Sequence, residues 1–181
     1  MRQARTLLQL AERGIEDMHW YSRARAEIER RCTHEGWDAG KFADLLALTS
    51  PRVQVSRNWS IAVHYMRTGE WQPGVMSVTK ENVQDWQRNG EVPMHLLKVY
   101  PFSRALRGDD SALVLDTWMA RALHVPESGL KSSFVRIRAA QRVSQVAAQL
   151  GWTITQTQAA IWSAELEAHG RTVYYYAEQE S

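Results

Sequence analysis

The chain has a single cysteine, Cys32, so it lacks the thiols for an internal disulfide or for a four-thiolate zinc or iron–sulfur site. Long apolar runs are also missing, since stretches such as Leu45 to Leu48 and Ala112 to Leu115 are far too short to cross a bilayer. Residues 1–5 lack the apolar character of a signal peptide. We therefore expect a cytoplasmic protein with no membrane partner.

Motifs for cofactor-driven chemistry are absent from the sequence. There is no glycine-rich phosphate loop and no Gly-x-Ser-x-Gly elbow. The histidines are scattered, and no two have the i, i+4 spacing that aims two imidazoles at one metal ion. They are His19, His34, His64, His95, His124 and His169. We expect no metal and no cofactor, which leaves side-chain acid, base or amine chemistry.

The composition is that of a globular domain with an arginine-rich set of cations. The 181 residues are 44% hydrophobic and 23% charged, enough for one domain with a substantial core. The net charge of +2 is too small to indicate a nucleic-acid partner by itself. Of the 22 basic residues, 18 are arginine, which suits bidentate phosphate contacts. A GC-rich genome produces the same excess of arginine, so both explanations stay open.

The apolar spacing is helical along the whole chain, and alternating runs are nearly absent, which predicts an all-α fold with about nine helices and no sheet. Thr79 is expected to cap its helix, and Pro101 predicts a kink or a late start near Lys98. The first predicted helix starts at Leu7. The others span Met18 to Gly36, Phe42 to Ser50, Ser56 to Met66, Thr79 to Arg88, Lys98 to Leu106, Asp116 to a point before Pro126, Ser132 to Leu150, and Thr155 to His169.

Lys98 and Asp116, separated by 18 residues, are the one pair of residues in the sequence that suggests catalysis. Asp116 follows a short apolar run at the start of an amphipathic helix, where its carboxylate can act either as an N-cap or as a catalytic group. Lys98 is either a solvated lysine at a helix start or a reactive amine. Spacing alone does not decide between these roles.

The segment from Lys98 to Leu123 resembles the part of helix-hairpin-helix DNA glycosylases that runs from the catalytic lysine to the catalytic aspartate. Upstream, residues 42–50 and 53–66 resemble the helix, DNA-intercalating turn and helix of that superfamily. The chain is also similar to phage and bacterial glycosylase-like proteins, through Leu97-Lys98-Val99, Leu115-Asp116-Thr117-Trp118 and Gln158-Ala159-Ala160-Ile161-Trp162. The resemblance covers roughly residues 17–168.

The resemblance implies a two-lobed helical bundle within one glycosylase-like domain, 1–181. One lobe would span residues 39–115, with the hairpin near 79–106, and the other would combine 1–38 with 116–181. The hairpin segment Pro93 to Leu97 departs from the family because it has no glycine. Glycine lets a backbone approach a phosphate closely, so that contact is altered here.

The resemblance also implies site residues. Asp116 would stabilise a sugar cation, and Lys98 would attack the sugar to form a Schiff base. A flipped-out base would stack on Trp20, Tyr21 or Trp118. The residues expected to contact DNA are Ser50, Arg52, Arg57, Arg104 and Arg107, with Arg52 filling the gap left by the base.

Three functions remain open at this stage. The first is excision of a modified base from duplex DNA, with or without lyase activity. The second is thymine hypermodification of the glutamyl or putrescinyl thymine pyrophosphorylase type. The third is a non-catalytic DNA-binding module that retains the fold. Each of them would operate in a bacterial cell or a phage-infected host.

Overall fold

The structure is a computed structural model that describes residues 6–176. Helices and their connections make up this part of the chain, and it contains no strand, so the predicted all-α class is confirmed. No helix among these residues has the length and apolar character needed to cross a membrane. The nine α-helices of the described residues are α1 (Leu7–Arg13), α2 (Trp20–Glu35), α3 (Ala39–Thr49), α4 (Val55–Thr68), α5 (Ser77–Asn89), α6 (Val99–Leu106), α7 (Thr117–Ala122), α8 (Ser133–Leu150) and α9 (Ile154–Ala168).

The chain forms two compact units. Within the described residues, the first unit contains 6–21 and 109–173, and the second contains 22–108 and 174–176. The predicted lobes, 39–115 and 1–38 with 116–181, divide the chain at other places, because residues 22–38 belong to the second unit and residues 109–115 to the first. In the structure, α2 bonds to elements of the second unit: Arg25 donates to the carbonyl of Ala105 at 3.1 Å, and Glu35 pairs with Arg67.

The first unit is built around α9, against which α1, α7 and α8 pack. Gly14 follows α1 at the closest approach to this central helix. A Cβ atom added to Gly14 would lie 2.0 Å from the carbonyl oxygen of Ala160, so only glycine fits there. The apolar core of the unit includes Leu10, Leu115, Met119, Leu123, Val143 and Ile161.

The second unit is built around α3, whose residues 42–49 are all buried. Helices α4, α5 and α6 all pack against α3. A buried network fixes α4 to the end of α3: the Asn58 amide donates to the carbonyl of Leu46 at 3.0 Å and to Thr49 Oγ1 at 2.7 Å. The Tyr176 hydroxyl donates to the side-chain oxygen Oδ1 of Asn58 at 2.7 Å, which completes the network.

Two predicted helix starts can be compared directly with the structure. The expected late start near Lys98 is confirmed, because α6 begins at Val99 and Pro101 lies in its first turn, where a missing N–H breaks no helical bond. The predicted cap at Thr79 is wrong. The backbone N–H groups of Thr79 and Lys80 both donate to the carbonyl of Met76, so α5 begins at Ser77, two residues before Thr79. Thr79 therefore lies within the first turn of the helix, where it is buried.

Candidate functional site

Asp116 precedes α7 in an extended backbone conformation, and both of its carboxylate oxygens have partners. Oδ1 accepts the backbone N–H of Met119 at 2.9 Å, which is an N-cap bond. Oδ2 accepts the indole N–H of Trp162, on α9, at 3.1 Å. The side chain is half-buried, and it joins the start of α7 to the central helix of the first unit.

Lys98 occupies the N-cap position of α6 and is half-buried. It belongs to the second unit, whereas Asp116 belongs to the first. A joint site of these two residues therefore stays a prediction of the resemblance.

Two of the three aromatic residues predicted to form a base pocket are core residues of the first unit. Trp20 and Tyr21 are each only 5% exposed. Their rings meet edge to face, with centroids 5.1 Å apart, and the Tyr21 hydroxyl donates to the buried amide oxygen of Gln158 at 2.7 Å. A base cannot stack on either ring unless the core opens.

Trp118, the third predicted pocket residue, is half-buried on α7. The Arg121 guanidinium lies 4.5 Å from its ring centroid, which is a cation–π contact, and the His169 ring is 5.6 Å away. The ring thus already packs against two side chains of its own unit.

Three of the four arginines predicted to contact DNA bind other parts of the second unit. Arg107 pairs with Asp44 at 3.0 Å, Arg57 donates to the carbonyl of Pro73 at 3.0 Å, and Arg104 lies over the Tyr100 ring at 5.8 Å. Ser50, the other predicted contact, is 7% exposed, and its hydroxyl donates to the carbonyl of Ala47 at 2.8 Å.

Arg52 differs from these residues in both exposure and backbone. It is exposed, and no described residue is hydrogen-bonded or ion-paired to its side chain. The Val53 N–H donates to the carbonyl of Ser50 at 3.2 Å, which closes a four-residue turn with Pro51 second and Arg52 third. Arg52 has φ +59°, so the turn has the type II pattern, whose third position favours glycine. We call residues Ser50–Val53 the Arg52 turn.

Asp44 has no role in the sequence predictions, but it is a buried carboxylate of the second unit that accepts from three different side chains. It is 2% exposed and accepts from Trp86 on α5, from Ser103 on α6 at 2.5 Å, and from Arg107. It thereby joins α3 to α5 and α6. The sequence signal for it is a lone acid within the apolar run from Phe42 to Leu48.

Acidic, histidine and cysteine side chains do not cluster in the described residues, where no group of three or more is placed to hold a metal ion.

Cys32 lies buried on α2, and burial raises the pKa of its thiol from 9.0 to about 11, with a smaller contribution from the negative charge of Asp38. A thiol with so high a pKa is a poor nucleophile.

Comparison with curated proteins and with solved structures finds no match to either. The model of a family of unknown function, DUF7178, matches residues 10–171, which is most of both units. The chain therefore belongs to the DUF7178 family.

Proposed function

We propose that this chain is a nucleic-acid-binding module that contacts duplex DNA through the Arg52 turn and performs no base chemistry at Asp116. The observation that carries the proposal is Arg52 itself, an exposed arginine in a left-handed backbone conformation with no described side-chain partner. Its expected location is the cytoplasm of a bacterial cell or of a phage-infected host.

The left-handed backbone conformation at position 52 is energetically unfavourable for an arginine. A side chain with a Cβ atom in the left-handed region costs about 1–2 kcal/mol, and glycine avoids that cost. No hydrogen bond or ion pair of the Arg52 side chain with a described residue offsets it. Such strained residues concentrate at binding sites, where an interaction with a ligand accounts for them.

The base of the Arg52 turn is held rigidly, which suits a residue that must enter a groove or a base stack. Ser50 is bonded back to α3, and Asn58 ties the last turn of α3 to α4. A guanidinium presented from such a turn can form two hydrogen bonds to a phosphate, or fill the space that an extruded base leaves in the stack. This is the role that the resemblance implies for the same turn.

The bonds of Asp116 favour the binding module over the two enzyme functions. Excision needs a carboxylate oxygen directed at the developing sugar cation, and hypermodification would use the same group on a base substituent. Both oxygens of Asp116 already accept hydrogen bonds from its own unit. Excision and hypermodification stay predictions of the resemblance.

The test is the affinity of the full chain for a fluorescein-labelled 20-base-pair duplex, measured by anisotropy over a series of salt concentrations. Arg52→Ala and Arg52→Gly are expected to weaken binding by roughly tenfold, in the range for one arginine contact to DNA. Arg88→Ala is the matched control, because Arg88 is an exposed arginine of the same unit that already pairs with Asp85. It should bind like the wild type.

Arg52→Gly also separates binding from folding. Glycine adopts φ +59° without strain, so its melting temperature should equal or exceed that of the wild type while its affinity falls. Equal affinities of the wild type and both Arg52 variants would overturn the proposal. Release of a free base from modified duplexes, detected by mass spectrometry, would overturn its non-catalytic part.

A further inference from the structure

Helix α8 exposes two large apolar side chains near its N-terminus. Phe134 is 67% exposed and Ile137 is 58% exposed. They are three residues apart on the helix, so they lie on the same face one turn from each other. A phenyl ring that stands so far out of its unit gains little from the fold and remains free to meet a ligand.

One cation precedes this apolar pair along the chain and another follows it. Lys131 ends the 3₁₀ turn Glu127–Lys131 three residues before Phe134, and Arg138 follows Phe134 by four residues on the same face. Both are exposed, and no described residue is bonded to either side chain. The nearest acid in the sequence is Glu127, at the start of the same 3₁₀ turn, and the next one after it is Glu165. No ion pair joins Glu127 to Lys131 among the described residues. We call Lys131, Phe134, Ile137 and Arg138 the Phe134 patch.

The other two arginines of α8 hold the Phe134 patch in place. The Arg136 guanidinium donates to the carbonyls of Leu130 and Lys131, at 3.0 and 2.9 Å, and so fixes the 3₁₀ turn against the helix. The Arg142 guanidinium donates to the carbonyl of Leu123 at 2.8 Å. Arg138 is thus the one arginine of α8 that has no described partner.

The inner face of α8 keeps the outer one rigid. Its buried residues pack in the core of the first unit, with Val143 fully enclosed. The N-terminal turns that present the patch continue directly into this anchored part of the helix. A ligand therefore meets a preformed surface and orders little of the chain when it binds.

The size of the patch favours a small planar ligand group over a protein or a membrane. Two apolar side chains cover far less than the roughly 800 Å² that each partner buries in a stable protein interface. Further along the same face the exposed residues are Gln141, Gln145 and Ala148. Two amides and one methyl group do not extend the apolar surface as a membrane-bound helix requires. An exposed ring with unpaired cations nearby in the chain is instead the combination that proteins use to bind single-stranded nucleic acid.

We propose that the Phe134 patch binds single-stranded nucleic acid, with an unpaired base stacked on Phe134 and the neighbouring phosphates paired with Lys131 and Arg138. The surface belongs to the first unit and shares no residue with the Arg52 turn of the second. The inference goes beyond the proposed duplex contact and stands or falls separately from it.

The ring is tested with the full chain and a fluorescein-labelled 20-nucleotide oligo(dT), by anisotropy. Phe134→Ala should weaken binding by roughly fivefold to a hundredfold, the effect of losing one base stack. Phe134→Trp should retain or improve it, because its ring is larger. Phe134→Leu keeps the apolar bulk but has no π-face, so it should bind as weakly as the alanine variant.

The matched control is Val78→Ala. Val78 is a 54% exposed apolar residue near the start of α5, in the second unit, and its removal should leave oligo(dT) binding unchanged. Circular dichroism of each variant should match the wild type, because the substituted side chains are exposed.

The cations are tested by the salt dependence of oligo(dT) binding. Lys131→Gln and Arg138→Gln should each lower the slope of log affinity against log salt by about 0.7, the value for one phosphate contact to a single strand. Arg171→Gln, which removes an exposed charge elsewhere in the same unit, should leave the slope unchanged. Unchanged slopes for both patch variants would overturn the phosphate contacts.

Two results identify another occupant and overturn the inference. If Phe134→Leu binds oligo(dT) like the wild type, the ring is not a stacking platform. If the wild type binds vesicles of phosphatidylserine and phosphatidylcholine, or forms dimers in sedimentation velocity, and Phe134→Ala abolishes this without changing oligo(dT) binding, the patch serves a membrane or a second copy. If Arg52→Ala loses duplex affinity but binds oligo(dT) normally, the Arg52 turn and the Phe134 patch are separate binding surfaces, and each proposal is tested by its own variants.

Discussion

A 3.1 Å hydrogen bond joins the indole N–H of Trp162 to Oδ2 of Asp116, while Oδ1 of the same carboxylate caps α7. The two bonds connect the first turn of α7 to α9, the central helix of the first unit. A carboxylate in this arrangement stabilises the unit whether or not it has a chemical role. Substitutions at Asp116 therefore report on folding before they report on function.

Asp116→Ala removes the cap and the indole acceptor together, and we expect it to lower the free energy of unfolding by about 2–3 kcal/mol. Trp162→Phe should show a smaller effect in the Asp116→Ala background than alone, because the hydrogen bond is already lost. Urea denaturation of the wild type, both single variants and the double variant measures this coupling. Additive effects would mean that the indole bond contributes nothing to stability.

Local signals in the sequence predicted the helices well. Gly69, Gly90 and Gly151 stand at the ends of α4, α5 and α8 with positive φ, which is the usual way for glycine to terminate a helix. The late start of α6 followed from Pro101 in the same way. These features depend on residues a few positions apart, so the chain itself displays them.

The candidate site was harder to predict, because its residues depend on distant partners. The sequence around Tyr21 looks the same whether its ring lies in a core or in a stacking pocket. Its burial depends on Gln158, which lies 137 positions further along the chain. Thr79 has the properties of a cap, but the chain at Met76 had already begun the helix. The left-handed backbone of Arg52 has no sequence signal, because glycine is the residue expected there.

Gly14→Ala should strongly destabilise the first unit. The added Cβ would lie 2.0 Å from a backbone carbonyl of α9, which cannot move without shifting the central helix. We expect a loss of about 3 kcal/mol or more in the free energy of unfolding. Gly129→Ala is the control: its Cβ would meet Pro126 at an ordinary 3.4 Å, and thermal melting should place it close to the wild type. Equal melting temperatures for both variants would contradict the close approach.

Asp44→Asn should destabilise the second unit, because the new amide group presents a donor to a pocket that already holds three donors. We expect a loss of about 2–4 kcal/mol, the usual result of breaking a buried hydrogen-bonded charge. Arg107→Ala should have a smaller effect, since Trp86 and Ser103 still satisfy the carboxylate and the arginine is half-exposed. Urea denaturation in which Arg107→Ala loses more than Asp44→Asn would contradict this order.

Cys32 should make the second unit less stable as the pH rises above 9. Burial raises the pKa of its thiol from 9.0 to about 11, so the folded state holds the proton more tightly than the unfolded chain does. The resulting stabilisation is fully present below pH 9 and is lost as the pH rises from 9 to 11. The Tyr176 hydroxyl, whose pKa burial also raises, contributes in the upper part of this range. Cys32→Ala isolates the thiol: urea denaturation at pH 8, 9, 10 and 11 should show a shallower fall than in the wild type, and parallel curves would exclude Cys32 as the cause.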